Sequence, residues 1–135
     1  MKKRILFIED EPFIAELYAQ VMEDAGYEVK IVGDGVEGLK IAQGEAFDII
    51  LLDLMLPNMP GMDILRSLRD PKQSPNFRAP IVILTNLDED DLTKREINQL
   101  AQGYLTKAEV SPKQLVEYLR KFEATTPGVA QPAAT

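Results

Sequence analysis

The sequence predicts an α/β domain in which a parallel β-sheet carries helices on both faces. The runs Ile5-Leu6-Phe7-Ile8, Ile49-Ile50-Leu51-Leu52 and Ile81-Val82-Ile83-Leu84 are apolar throughout and strand-length, as expected of strands buried on both sides. Segments with helical spacing alternate with strand-like segments from one end of the chain to the other, and repeated strand–helix units joined by right-handed crossovers build a parallel sheet. The apolar runs also end in chemically capable groups, namely Glu9-Asp10-Glu11, Asp53 and Thr85. In open α/β sheets, ligands sit beyond the carboxyl ends of the strands.

Residues 4–8 form the first predicted strand. Pro12 suits the first position of a helix, in which Ile14, Leu17, Val21 and Ala25 recur at helical spacing before Gly26 closes it. Tyr27 to Val32 alternates as a strand with one polar face, Val36 to Gln43 makes a short helix ended by Gly44, and 48–52 is the central strand. A third helix runs from Gly61 to Arg69. Pro71, Pro75 and Pro80 mark 70–80 as a loop before the strand that ends at Thr85. Asp88 to Ala101 reads as a helix with an acidic start, favoured by the macrodipole. Gly103 to Thr106 is a short strand, and Ser111 caps a last helix from Pro112 to Phe122. Residues 1–123 are therefore one domain, and 124–135, rich in Ala, Thr, Pro, Gly and Gln, read as a disordered tail or linker.

Composition narrows the chemistry. The chain has 135 residues, 45% hydrophobic and 27% charged, which suits a single core. With no cysteine and no histidine, disulfides, thiol chemistry, histidine phosphodonation and histidine-ligated metals are excluded. The net charge of -7 argues against a direct nucleic-acid-binding face, which needs clustered Lys and Arg. No stretch has the length of a membrane span. The basic Met1-Lys2-Lys3-Arg4 precedes an apolar run too short for a signal peptide, and the reading is a cytoplasmic protein.

Asp53 is the most informative residue. A carboxylate where a buried strand emerges is costly unless its charge is used. If the first and third strands are neighbours, Glu9, Asp10 and Asp53 converge in a pocket that calls for a cation. Taken singly, Asp53 suits a turn, Glu9-Asp10-Glu11 an acidic helix start, Thr85 a strand-end hydroxyl, Lys107 a solvated surface lysine and Tyr104 a strand aromatic.

Together these residues resemble the receiver domain of two-component response regulators, the CheY-like family. The resemblance spans 4–122 and rests on Ile8-Glu9-Asp10-Glu11-Pro12, Asp53-Leu54-Met55-Leu56-Pro57 with Gly61, Leu84-Thr85, and Tyr104-Leu105-Thr106-Lys107. It implies a flavodoxin-like (βα)5 fold, doubly wound, with strand order 2-1-3-4-5. It implies that Asp53 is the phosphoacceptor and that Glu9, Asp10, Asp53 and the Met55 backbone carbonyl hold Mg²⁺ or Mn²⁺. Thr85 matches the switch hydroxyl, Lys107 the family lysine and Tyr104 the switch aromatic. The phosphoryl group would come from the phosphohistidine of a sensor histidine kinase or a His-phosphotransfer domain. The modified chain would signal to a downstream protein through its 86–122 surface. Such a domain catalyses only its own phosphorylation and dephosphorylation, and is no enzyme toward an outside substrate. The resemblance further permits a homodimer through 88–122, a surface carrying Lys94, Arg95, Glu96, Arg120 and Lys121.

Elementary chemistry is consistent with these roles. Phosphoryl transfer needs charge neutralisation and positioning more than covalent help. Magnesium prefers oxygen ligands and keeps several waters, and a new phosphoryl group offers acceptor oxygens that can reset a nearby hydroxyl and aromatic. Phe13 lies off the apolar stripe of its helix beside the acid pair, where an exposed aromatic suits a docking surface for a kinase or phosphotransfer domain.

The sequence departs from the family at two places. Ala108 follows Lys107 where the family usually has proline after a cis bond. A cis bond before alanine costs about 3–4 kcal/mol, so the expectation is either a trans bond with a rearranged loop or a strained cis bond. Asn86 follows Thr85 where the family prefers Ala or Ser, and its larger side chain is expected to narrow access to Asp53. Met55 and Leu87, each two residues beyond a site residue, are expected to impede an in-line water and prolong the phosphoryl group's life. Two other functions compete: a phosphorylation-independent interaction module on the same fold, and an enzyme. Against the enzyme, Glu9-Asp10-Glu11-Pro12 lacks a Gly-rich phosphate loop, and Met55 stands where a haloacid-dehalogenase-type phosphatase needs a second aspartate.

Overall fold

The computed structural model describes residues 2–123, so the expected tail at 124–135 lies outside the described residues. The elements are β1 (Arg4–Ile8), α1 (Pro12–Asp24), β2 (Glu28–Val32), α2 (Gly35–Gly44), β3 (Ile49–Leu52), α3 (Gly61–Arg69), β4 (Ile81–Thr85), α4 (Asp91–Leu100), β5 (Gly103–Thr106) and α5 (Pro112–Glu123). A 3-10 turn at Lys107–Glu109 precedes α5. All strand pairs are parallel, and the order is β2-β1-β3-β4-β5. This is the flavodoxin-like doubly wound fold. None of the described helices is long and apolar enough to cross a membrane.

Successive side chains of a strand point to opposite faces, and here both faces are covered. Ile5, Phe7, Ile49, Leu51, Val82 and Leu84 pack with Tyr18 and Met22 of α1 and Leu115 and Leu119 of α5. Leu6, Ile8, Ile50, Leu52, Ile81 and Ile83 pack with Ala42 of α2, Ile64, Leu65 and Leu68 of α3, and Ile97 of α4. A strand with no solvent face has no reason to alternate, which is why these runs read as continuous apolar segments.

Two element readings need correction. The buried stripe of α1 is Ala15, Tyr18, Ala19 and Met22, one residue out of phase with the expected Ile14, Leu17, Val21 and Ala25. Leu17 is 49% exposed, while Ile14, Val21 and Ala25 pack at the margin of the core. Two small alanines and a tyrosine face the sheet, and a count of bulky aliphatics overlooks them. Tyr18 resolves its polar end by donating its hydroxyl to the Val110 carbonyl at 3.1 Å. Helix α4 begins at Asp91 rather than Asp88, because the Asp90 carboxylate accepts the Thr93 N–H at 2.8 Å and serves as N-cap. The expected cap of α5 is present as a reciprocal box: Gln114 N–H donates to Ser111 Oγ at 3.1 Å, and Ser111 N–H donates to Gln114 Oε1 at 2.9 Å.

Arg69, at the end of α3, was not legible as an anchor. Its guanidinium donates to the carbonyls of Leu100 at 2.7 Å and Ala79 at 3.1 Å, and to Gln102 Oε1 at 2.5 Å. It also lies 5.4 Å from the Phe77 ring centroid. Burial pulls its pKa down to about 10, which leaves it charged at neutral pH. One side chain thus pins the proline-containing loop and the α4–β5 connection to α3. Arg69→Met strips the donors from these carbonyls and is expected to lower unfolding free energy by about 2 kcal/mol in urea denaturation. Arg69→Lys is expected to recover only part of that, because one ammonium cannot replace the planar fork.

Candidate functional site

Sheet register builds the site. Ile8 is level with Leu52 across β1 and β3, so the next residues, Glu9 and Asp53, emerge side by side. The ladder runs one step past each strand: Glu9 N–H donates to the Val32 carbonyl at 2.9 Å and Asp53 N–H to the Ile8 carbonyl at 3.1 Å. This is the point where the chain order reverses about β1, the crevice of a doubly wound sheet. Thr85 ends β4 level with Thr106 of β5, which brings Lys107 to the same edge.

The predicted residues meet there. Asp53 is 3% exposed, Glu9 1% and Thr85 0%. Carboxylate oxygens of Glu9, Asp10 and Asp53 lie within 4.8 Å of one another, with Asp10 on the exposed rim. Lys107 Nζ donates to Asp53 Oδ2 at 2.8 Å and stands 2.5 Å from Glu9 Oε1. Thr85 Oγ1 donates to Asp53 Oδ1 at 2.8 Å, and the Met55 N–H donates to the same oxygen at 3.1 Å. Both oxygens of Asp53 therefore have donors. Glu9 Oε1 is buried against the Lys107 ammonium. Its other oxygen accepts the Glu11 N–H at 3.2 Å.

The electrostatics follow from burial. Loss of solvent, reinforced by the neighbouring Asp53 charge, pushes the Glu9 carboxyl above its ordinary pKa, with Lys107 pulling the other way. Burial by itself lowers the Lys107 ammonium, but the hydrogen bonds to Asp53 and Glu9 outweigh it and leave its pKa raised. One ammonium thus faces three carboxylates, and the cluster keeps an excess of negative charge. An all-oxygen donor set and that excess charge fit a hard divalent cation.

The β3–α3 loop holds Asp53 and Met55 in place. A Cβ on Gly61 would overlap the Asp53 carbonyl oxygen and Leu54 Cα, so only glycine lets α3 start this close to the acidic residue. Asn58 adopts φ 69°, and its side-chain amide bonds Asp34 in the facing loop. The carbonyl of Pro57 accepts the Gly35 N–H at 3.1 Å.

The isomer of the Lys107–Ala108 bond is resolved by geometry. No described peptide bond is cis, so Lys107–Ala108 is trans, and the loop after it turns as a short 3-10 segment. Lys107 still reaches Asp53. Tyr104 is half-buried and donates its hydroxyl to the Leu87 carbonyl at 3.0 Å, while the Leu87 N–H donates to Thr85 Oγ1 at 3.2 Å. A single short loop thus connects Thr85 to Tyr104. Phe13 is 82% exposed beside the acid pair. Sequence reasoning missed the Met55 amide as a donor to Asp53, and it missed the bond from Ala108 N–H to Asn86 Oδ1 at 2.9 Å. Neither leaves a signal in residue type or spacing, because each depends on how two loops meet.

Known proteins share this fold. A family model described as the response regulator receiver domain matches residues 5–120. The alkaline phosphatase synthesis transcriptional regulatory protein PhoP of Bacillus subtilis is 35% identical over 131 residues, covering 94% of this chain and 52% of PhoP. The transcriptional regulatory protein HprR of Escherichia coli is 38% identical over 104 residues, 77% of this chain and 44% of HprR. The chain thus spans about half the length of the curated relatives it matches. Among solved structures, a CheY-like receiver domain protein from Methanospirillum hungatei superposes with a TM-score of 0.77 at 30% identity, covering 92% of this chain and 96% of that one. The BeF3-activated receiver domain of Klebsiella pneumoniae RstA gives 0.77 at 31% identity, covering 89% and 97%. A sheet of order 2-1-3-4-5, acidic residues gathered at its switch point and a family match over nearly all the described residues make this chain a member of the response regulator receiver family.

Proposed function

We propose that Asp53 accepts a phosphoryl group from the phosphohistidine of a sensor histidine kinase or His-phosphotransfer domain, and that the modified domain signals by protein contact through its 86–122 surface. One observation carries this reading: a nearly buried Asp53 whose carboxylate receives hydrogen bonds from Lys107, Thr85 and the Met55 amide, with two further carboxylates against it. In the transfer, an Asp53 oxygen forms a bond to phosphorus while the P–N bond of the donor breaks, and the electron pair leaves with the imidazole.

Glu9, Asp10, Asp53 and the Met55 carbonyl would hold Mg²⁺ or Mn²⁺, which when bound neutralises charge on the transferring oxygens. Lys107 sits where a second positive charge serves the same oxygens. The Thr85 hydroxyl already donates to Asp53 Oδ1, and it can pass this bond to a phosphoryl oxygen with little motion. Because the Thr85 hydroxyl also accepts the Leu87 N–H and Tyr104 holds the Leu87 carbonyl, that change would reset the loop leading to α4. The exposed Phe13 supplies an apolar contact for the phosphodonor protein. The face 88–122 offers Leu92, 74% exposed, to a downstream partner or a second copy. Glu96, by contrast, is engaged within the chain by Arg66 at 2.6 Å. Lys107 reaching Asp53 across a trans bond to Ala108 favours this reading over a phosphorylation-independent interaction module. The only catalysis proposed is the domain's own phosphorylation and dephosphorylation.

Incubation with acetyl phosphate and Mg²⁺ is expected to add the mass of one phosphoryl group, and Asp53→Ala is expected to abolish the gain. No mass gain in the native chain defeats the proposal. Asp10→Asn removes one charge from a crowded carboxylate cluster at little packing cost. It is expected to raise the melting temperature in EDTA and to cancel the stabilisation that Mg²⁺ gives the native chain through ligand linkage; a Mg²⁺-dependent melting shift that persists in Asp10→Asn contradicts the metal assignment. Met55→Asn and Leu87→Glu each bring a polar group to a position flanking the phosphoryl group. Each is expected to shorten the lifetime of the phosphorylated form several-fold in a mass-resolved decay, and unchanged lifetimes in both rule out their shielding role.

A further inference from the structure

We propose that Asn86 is a positioning residue for Lys107, holding the β5–α5 loop against the β4–α4 loop through the backbone amide of Ala108. The proposal rests on the reading of Asp53 as phosphoacceptor with Lys107 as its cationic partner. The last level pair of β4 and β5 is Thr85 with Thr106. Beyond it the ladder ends, and each strand passes into a loop that carries a group on Asp53. Asn86 directly follows Thr85, and Ala108 directly follows Lys107. Between them, Asn86 Oδ1 accepts the Ala108 N–H at 2.9 Å.

The bonds form a closed circuit. From Asp53 Oδ1 it runs to the Thr85 hydroxyl at 2.8 Å, along one peptide to Asn86, across to the Ala108 amide, back one peptide to Lys107, and returns to Asp53 Oδ2 at 2.8 Å. Lysine is a flexible side chain that needs a fixed backbone origin to keep its ammonium on one oxygen. Other tethers act elsewhere on these loops: Tyr18 holds the Val110 carbonyl and Tyr104 the Leu87 carbonyl. The Asn86 carbonyl acts on the residue adjacent to Lys107. The donor exists because residue 108 has an N–H, which an imino acid lacks, so the two side chains at 86 and 108 make sense as a pair. Since the circuit includes Thr85, displacement of the Thr85 loop would be felt at Lys107 through the same bond.

The test uses Asn86→Leu, which keeps the bulk and removes the acceptor; Asn86→Asp, which keeps an acceptor; and Ala108→Pro, which removes the donor. Hydrogen exchange at the Ala108 amide, followed by NMR, reads the contact directly and does not depend on phosphorylation. Exchange is expected to speed up about 3- to 10-fold in Asn86→Leu, in line with loss of one exposed hydrogen bond, and to stay near native in Asn86→Asp. The maximal rate of phosphorylation at saturating acetyl phosphate and Mg²⁺ is expected to fall by a similar factor in Asn86→Leu, with little change in melting temperature. In the Ala108→Pro background, Asn86→Leu is expected to cost nothing more. Unchanged exchange in Asn86→Leu overturns the proposal. So does an equal rate loss from Asn86→Leu with and without Ala108→Pro, because Asn86 would then act by shaping access to Asp53. Failure of the native chain to become phosphorylated would instead strike at the phosphoacceptor reading, and the exchange result would still decide whether Asn86 holds the loop.

Discussion

The ammonium of Lys107, held between Asp53 Oδ2 and Glu9 Oε1, is the interaction on which the rest of the site depends. Parallel register brings Glu9 and Asp53 together whether or not their charges agree, and both are almost wholly removed from water. Two buried carboxylates cannot both stay ionised side by side without a nearby cation, since desolvation and mutual repulsion both disfavour the charged forms. Lys107 supplies part of the needed charge. Asp10 on the rim adds a further negative group and leaves the balance in favour of a divalent ion. Glu9, Asp10 and Asp53 thus form an acidic cluster whose oxygens suit a hard divalent cation.

The path outward from Asp53 is short and made of ordinary hydrogen bonds. Thr85 touches Asp53 with its hydroxyl and receives the Leu87 amide on the same oxygen, and Leu87 in turn receives the Tyr104 hydroxyl. Helix α4, which follows this loop, buries only Ile97. Its links to α3 are the pair of bonds from Arg66 to Glu96 at 2.6 and 2.8 Å, on side chains that stay partly exposed, and the bond from Arg69 to the Leu100 carbonyl at its C-terminal end. Exposed ion pairs contribute little to stability, and an element with few buried contacts belongs to the low-stability end of a fold. The weakly anchored helix therefore adjoins the residue proposed to change. The Arg69 clamp instead holds the C-terminal end of α4, together with Ala79 and Gln102, away from the loop that begins at Thr85.

The departures at 86 and 108 show how a site tolerates change. Taken one at a time, an asparagine beside the hydroxyl reads as narrowing access to Asp53, and an alanine after the lysine as a disturbance of the loop that carries Lys107. In three dimensions they meet. A side-chain carbonyl takes the amide that the alanine supplies, the peptide stays trans, and the ammonium keeps its position on Asp53.

The sequence by itself determined the order of the elements, the double burial of the central strands and the identity of the groups at their carboxyl ends. These are local properties: an unbroken apolar run, a proline or glycine that stops it, and the charge that comes next. The strand order was legible through family motifs in sequence order, the same motifs singled out Asp53, Lys107 and Thr85, and register brings those residues together. Only the tertiary structure decided which face of α1 is buried, that α4 starts at Asp91, that Arg69 is an anchor and that Asn86 grips Ala108. Apart from the α4 start, which the Asp90 cap sets locally, each of these turns on a partner far away in the chain, as with the 22-residue separation of Asn86 and Ala108. Residue type and spacing describe what a side chain can do, whereas packing of distant segments selects which partner it finds.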